Sequence, residues 1–128
     1  MLNISIIAGR IVRDPELRTT TGGTTVTNFS VAVDRDRPEM DGTRSVDFLD
    51  VVAWRQTAEF IARNFVKGQG IIIQGRLQKR TWTDKDGAKR SQTEIVAANA
   101  YFNGDAPRGD VKAADFADLD ADDDALPF

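Results

Sequence analysis

The chain has 128 residues, 17 Lys+Arg against 20 Asp+Glu, and neither cysteine nor histidine. The length suits one domain. The missing residue types exclude a disulfide framework, a thiol nucleophile, the usual zinc ligands and any Ser-His or Cys-His pair, so an enzyme built here would rely on carboxylates, lysines or Tyr101. No apolar run approaches the roughly 18 residues of a membrane span. No basic-then-apolar leader opens the chain, so a cytoplasmic protein is expected. Charge is divided unevenly. Residues 1–104 hold 15 cations and 12 acids, a net of +3, while residues 105–128 hold 2 and 8, a net of −6. A mildly basic domain is thus joined to an acidic segment.

Residues 3–13 (NISIIAGRIVR) are predicted to form a first strand. Its apolar residues fall on both parities, Ile4 and Ile6 on one, Ile7 and Ile11 on the other. A half-buried strand is apolar on one face only. Either a bulge near Gly9 shifts the register, or another subunit covers the second face. Pro15 ends this segment, and Thr19 to Thr24 form a polar turn around Gly22-Gly23. Residues 25–35 alternate cleanly, with Thr27, Phe29, Val31 and Val33 on one side and Asn28, Ser30 and Asp34 on the other. A charged loop with Pro38 and Gly42 follows.

Residues 46–55 form a third strand. Leu49, Val51 and Ala53 suit a core, which puts Phe48, Asp50, Val52 and Trp54 on the opposite face. From Gln56 to Val66 the period changes. Ala58, Ile61, Ala62 and Phe65 follow i, i+3, i+4, i+7, predicting a short helix ended by Lys67-Gly68. Residues 70–83 form a fourth strand, with Ile71, Ile73 and Leu77 on one side and Gln74, Arg76, Gln78, Arg80 and Trp82 on the other. Asp84-Lys85-Asp86-Gly87 is a hairpin turn, since Asp-Gly accepts positive φ, and residues 89–102 return as a fifth strand. Three strands, a helix and two further strands is the order of the OB-fold, a five-stranded Greek-key barrel. The expected class is all-β with one short helix. Beyond Gly104, Asp and Ala dominate. Such a segment buries too little to offset its chain entropy, so 105–128 is expected to be disordered in isolation.

If the odd face of the third strand is the core, Phe48 and Trp54 stand outside. Trp82 shares parity with Arg76 and Arg80. Outward rings cost solubility and need a reason. The flat faces of nucleic-acid bases supply one, because base–aromatic stacking is indifferent to sequence. The alternative is that a ring covers a barrel end or a subunit contact. The neighbouring cations are Arg55, Arg76, Lys79, Arg80, Lys85, Lys89 and Arg90, extended by Arg35, Arg37 and Arg44. Taken singly, each reads as part of a solvated face. Clustered with rings, they fit a flexible polyanion whose bases are unstacked, hence a single strand rather than a duplex. Asp34, Asp36, Asp47 and Asp50 lack a supporting histidine and a ligand motif, so solvation or salt bridging is the simpler account, and neither metal nor cofactor is expected. The end Asp122, Asp123, Asp124, Ala125, Leu126, Pro127 and Phe128 offers anions and a ring to a basic, apolar pocket. A solubility tail alone gains nothing from a terminal aromatic, and proline limits the conformers lost on docking.

Several segments together resemble the bacterial single-stranded DNA-binding protein family: GRIVRDPELR (9–18), TNFSVAVDR (27–35), DFLDVVAWR (47–55), Lys67-Gly68, QGRLQKRTWTDKDG (74–87), TEIVA (93–97) and the DDDALPF end. The resemblance implies an OB-fold assembled as a homotetramer, wrapping of single-stranded DNA at the nucleoid without sequence preference, and a tip captured by replication, recombination and repair proteins. Phe48, Trp54 and Trp82 match the family's base-stacking aromatics. Arg37 stands where another aromatic often follows the second strand, and Ala125 where an acid usually precedes the apolar-Pro-Phe end. The segment from Asp105 to Ala121, as a flexible coil, reaches roughly 20–25 Å. Two other readings remain: an OB-fold adaptor of a primosome or recombination complex that contacts mainly proteins, and a carboxylate-metal nuclease.

Overall fold

The structure, a computed structural model, describes residues 1–104; the acidic segment, with Asp122 to Asp124 and Leu126 to Phe128, lies outside the described residues. The elements are β1 (Ser5–Ile11), β2 (Arg18–Thr19), β3 (Thr25–Asp34), β4 (Val46–Trp54), α1 (Arg55–Asn64), β5 (Gly70–Thr83) and β6 (Lys89–Phe102). The sheet order is β1-β5-β6-β4-β3-β2. β1 pairs with β5 along Ser5 to Arg10 and with β3 at Arg10 and Ile11, so the long strands close on themselves. β4 and β6 run parallel and the other pairs antiparallel. This is the OB-fold barrel that the element order predicts.

Closure gives each strand an inside. Phe29 and Val31 on β3, Val51 and Ala53 on β4, Ile71 and Ile73 on β5, and Ile95 and Ala97 on β6 meet Ile11 in one core. α1 plugs the barrel by turning Ala58 and Ile61 into it, and Phe65 follows them in at the helix end. Alternation in β3 and the helical stripe in α1 suffice to find the residues those two elements contribute, because burial on one face imposes the period of the element.

Several expectations are corrected. β1 spans Ser5–Ile11 rather than residues 3–13 and runs in regular register past Gly9, without a bulge. Gly9 instead marks the place where β1 passes from β5 to β3. A Cβ there would run into the Ala32 carbonyl. A two-residue strand, β2, has no counterpart in the sequence pattern; it pairs with β3 at Val26 and Thr25 and is too short to show a period. α1 ends at Asn64, with Phe65 extended, rather than at Lys67-Gly68; Gly68 lies in the following turn at φ 86°. Val52, assigned to the outside, is buried between Asn28 on β3 and Val96 on β6. Leu77, assigned to the core, is 49% exposed. The β1–β5 pairing stops at Gly75, and beyond it the Asn3 amide, not a strand, bonds the Leu77 backbone. The inner face of β5 is uncovered from there on.

A register shift sits at the same level. Gln74 faces Asn99 while Gly75 faces Ala97, so Ala98 is an extra residue on β6. Inward parity in β6 therefore changes from Ile95 and Ala97 to Ala100. Such a bulge bends its strand, and here it lies where the β5–β6 hairpin leaves the barrel. Gly75 permits the close approach: a Cβ would collide with the Val96 carbonyl oxygen. Gly75→Ala should therefore lower stability by about 1–3 kcal/mol in urea unfolding. The converse holds at Thr27, whose hydroxyl is buried with no hydrogen-bond partner among the described residues. Thr27→Val should raise stability by about 1 kcal/mol, since it removes an unpaired polar group at constant shape.

Candidate nucleic-acid interface

The even positions of β4 and β5, and of β6 as far as Val96, face the same outer side of the sheet. Val52 pairs with Val96, and Val96 with Arg76, which aligns the three strands on one surface. β4 contributes Phe48 and Trp54 to it, 65% and 42% exposed, and β5 contributes Trp82, 38% exposed. Phe48 lies opposite Ala32, Trp54 opposite Val26, and Trp82 opposite Arg90. The sequence placed these rings outside, and the structure puts all three there, on the parity of Arg76 and Arg80.

The tryptophans differ in setting. Trp54 is the extended residue that precedes α1, and Arg55 after it has φ 55°. A non-glycine residue in that region carries backbone strain, here where the chain turns from strand to helix beside a ring. Trp82 stands on the hairpin arm with the Arg80 guanidinium carbon 4.6 Å from its ring centroid, a cation–π contact. Lys79, Thr81, Thr83, Lys89, Arg90 and Ser91 line a shallow cleft with it, about 500 Å³ in volume.

The candidate cations fall into two sets. Arg35, Arg80 and Arg90 each pair with an acid: Arg35 with Asp47 at 3.0 Å, Arg80 with Glu94 at 3.6 Å and Arg90 with Asp84 at 2.9 Å. Arg37, Arg55, Arg76, Lys79, Lys85 and Lys89 make no ion pair among the described residues. Arg35 reaches Asp47, which lies on the opposite parity of β4 from Phe48, so the structure does not bring it among the rings. Arg37 stays in the loop before β4, and Arg44 donates to the Arg35 and Asp36 carbonyls. The hydrogen bond and charge of Arg35 hold the Asp47 carboxyl below the ordinary aspartate range. The same contact raises Arg35. Of the four aspartates considered together in the sequence, Asp47 is thus in a salt bridge and Asp50 in side-chain hydrogen bonds. No group of three or more metal-ligating acids forms among the described residues.

Asp84 organises the hairpin. One carboxylate oxygen accepts the Asp86 and Ala88 N–H groups, and the other accepts Arg90 Nε. The turn expected from Asp-Gly is present, and Gly87 has φ 81°. Sequence reasoning did not single out Asp84, although an aspartate bonding the backbone two residues on is a familiar turn signal. Arg18 was also missed. It pairs with Val26, which pairs with Trp54, so it extends the ring-bearing face across β3. Its guanidinium donates to Asn28 Oδ1 at 2.6 Å. Beside it opens a groove with Arg13, Lys67, Asp14 and Glu16.

A closed five-strand barrel with rings and basic residues on one outer face defines an OB-fold of the type that binds polyanions with exposed bases. The model of the single-strand binding protein family matches residues 2–103. The chain belongs to that family. It is 40% identical over 102 residues to a single-stranded DNA-binding protein of Caldanaerobacter subterraneus, an alignment covering 80% of this chain and 68% of that protein. A protein of the same description from Halalkalibacterium halodurans is 39% identical over 109 residues, covering 85% and 64% of the two chains. Single-stranded DNA-binding protein 1 of Staphylococcus aureus is 39% identical over 102 residues, covering 80% and 65%. The alignments thus span about two thirds of these relatives' lengths.

The turn contacts make a pH prediction. The Arg90 bond first, then the Ala88 N–H, hold the Asp84 carboxyl below its ordinary value. A depressed carboxyl contributes stability that is present above the unfolded aspartate value and is lost as pH falls through the lower folded one. Carbon-detected NMR titration should place the Asp84 midpoint below that of an unpaired aspartate, and Arg90→Gln should move it upward. An unmoved midpoint would remove Arg90 as the main cause.

Proposed function

We propose that this protein binds single-stranded DNA without sequence preference, keeping exposed strands extended and shielded, and that it acts by binding rather than by catalysis. The observation that carries the reading is the shared outer face of Phe48, Trp54 and Trp82 with Arg76 and Arg80, flanked by Lys79 and Lys89 in the cleft beside Trp82. A duplex hides its base faces, whereas a single strand offers both bases to the rings and phosphates to the cations. Membership of the family and likeness to single-stranded DNA-binding proteins support the same reading.

Two extensions belong to this proposal. The first is assembly as a homotetramer. Ile6 on the outward parity of β1 and Ile4 just before the strand are 65% and 61% exposed, which fits the covering of that strand by a second copy. The second is recruitment of replication, recombination and repair proteins at the nucleoid through Asp122, Asp123, Asp124, Leu126, Pro127 and Phe128. Its support is the chemistry of that sequence: clustered anions ahead of an apolar, proline-stiffened aromatic end.

Intrinsic tryptophan fluorescence titrated with poly-dT, in parallel with a duplex, tests the central reading. Strong quenching by poly-dT and little by duplex is expected. Equal, weak responses would favour an adaptor that contacts mainly proteins. Trp54→Ala and Trp82→Ala should each weaken poly-dT binding by about 1–3 kcal/mol while the fold is retained by circular dichroism. Binding should weaken as salt rises, and Lys79→Gln or Lys89→Gln should reduce the log–log slope by about 0.7 for each phosphate no longer neutralised. For assembly, sedimentation velocity should show Ile6→Glu as a smaller species than the parent; an unchanged species would remove β1 from the subunit contact.

A further inference from the structure

Two carboxylates stand on the face that carries the rings. Asp50 shares the outward parity of β4 with Phe48 and Trp54, and Glu94 lies on β6 at only 4% exposure. Negative charge in the middle of a surface for a polyanion opposes binding, so coulombic attraction to the ligand does not account for either. Their contacts do. Asp50 Oδ1 accepts the Ser30 hydroxyl at 2.9 Å, and its Oδ2 accepts Gln92 Nε2. Gln92 Oε1 accepts Arg80 Nη2 at 3.4 Å. Arg80 Nε lies 3.6 Å from Glu94, and the guanidinium lies over the Trp82 ring. A polar chain thus runs from β3 through β4 and β6 to β5 and ends on an indole.

We propose that Asp50 and Gln92 are positioning residues for DNA binding, acting through Arg80 on Trp82. The inference rests on the single-strand binding reading above. Glu94 offsets the charge of Arg80, while Gln92, fixed by Asp50, holds the guanidinium over one face of Trp82. The opposite ring face is left for a base. Arg80, placed by the sequence among the phosphate contacts, is in this arrangement a brace for the ring. The barrel sheet with Phe48 and Trp54 is tied by the same chain to the projecting hairpin with Trp82, so the spacing of the stacking platforms is fixed before DNA arrives. Preorganisation of this kind lowers the ordering cost of binding.

The test compares variants that charge and geometry order differently. Asp50→Ala and Gln92→Ala should each bind poly-dT about three- to tenfold more weakly than the parent, the cost of one broken hydrogen-bond link. Asp50→Asn, which keeps an acceptor for Gln92 and removes the charge, should bind at least as tightly as the parent. If the carboxylate acts only through its charge, Asp50→Ala and Asp50→Asn tighten binding alike and Gln92→Ala changes nothing; either result overturns the inference. Arg80→Gln should weaken binding with an unchanged salt slope, whereas a slope reduced by about 0.7 marks a phosphate contact and overturns the brace. In a Trp54→Phe background, Trp82 is the single indole, and Asp50→Ala should increase its quenching by iodide in the absence of DNA. Unaltered quenching would mean that the ring was never held. A parent protein that fails to bind poly-dT at all sinks the functional reading, whereas a parent that binds with Asp50→Ala unimpaired sinks only this one.

Discussion

Closure of a single sheet is the constraint on which the rest depends. Once β1 pairs with β5 on one side and β3 on the other, every long strand has an inside filled almost wholly by apolar side chains, Thr27 excepted, and an outside that must be explained residue by residue. Val51 and Ala53 can be buried only if Asp50 and Trp54 point away from the axis. The outward rings are therefore a direct consequence of the inward valine and alanine. The binding surface and the core are two parities of one strand, and a one-residue slip in β4 would exchange them.

The hairpin of β5 and β6 escapes this constraint in its outer half. Past the extra residue Ala98 and the close approach at Gly75, β5 no longer has β1 beside it. An arm with so little core has to be held by polar contacts. Asp84 ties its tip through backbone N–H groups and Arg90. Arg80, Glu94 and Gln92 tie its root to Asp50 on the barrel. Acids draw Arg80 and Arg90 into pairs on the arm, and Arg35 away from the rings, and leave mostly lysines and Arg76 as unpaired cations near Trp82 among the described residues. Charge on this surface thus has two uses, orienting the arm and meeting phosphate, and a count of basic residues does not separate them. Lysine, a flexible point charge, suits a ligand that is met at many registers.

Legibility in the sequence followed the length and regularity of each pattern. β3 and α1 were readable because their inward positions repeat at the period of the element: Thr27, Phe29, Val31 and Val33 at two, and Ala58 and Ile61 at the helical spacing, with Phe65 continuing the stripe just past the helix end. β2 was invisible because two residues carry no period. Leu77 and Val52 were misassigned for a shared reason. Parity states which way a side chain points but not whether another strand covers it; Leu77 lies beyond the reach of β1, and Val52 is covered by β6. The rings could be placed from parity alone. The partners of Asp50 and Glu94 could not, since Asp50 and Gln92 are 42 positions apart.

By itself the sequence determined the order of the long strands and the helix, the core faces of β3, β4 and α1, the outward setting of Phe48, Trp54 and Trp82, and the separation of a basic domain from an acidic segment. These follow from local periodicity and composition, which are properties of neighbours along the chain. Only the tertiary structure decided which cations pair with acids, where β6 inserts its extra residue, and how β3, β4, β6 and β5 are linked from Ser30 to Trp82. Those are properties of register between distant strands. A shift of one residue in that register reverses the face of every side chain, and no local pattern specifies it.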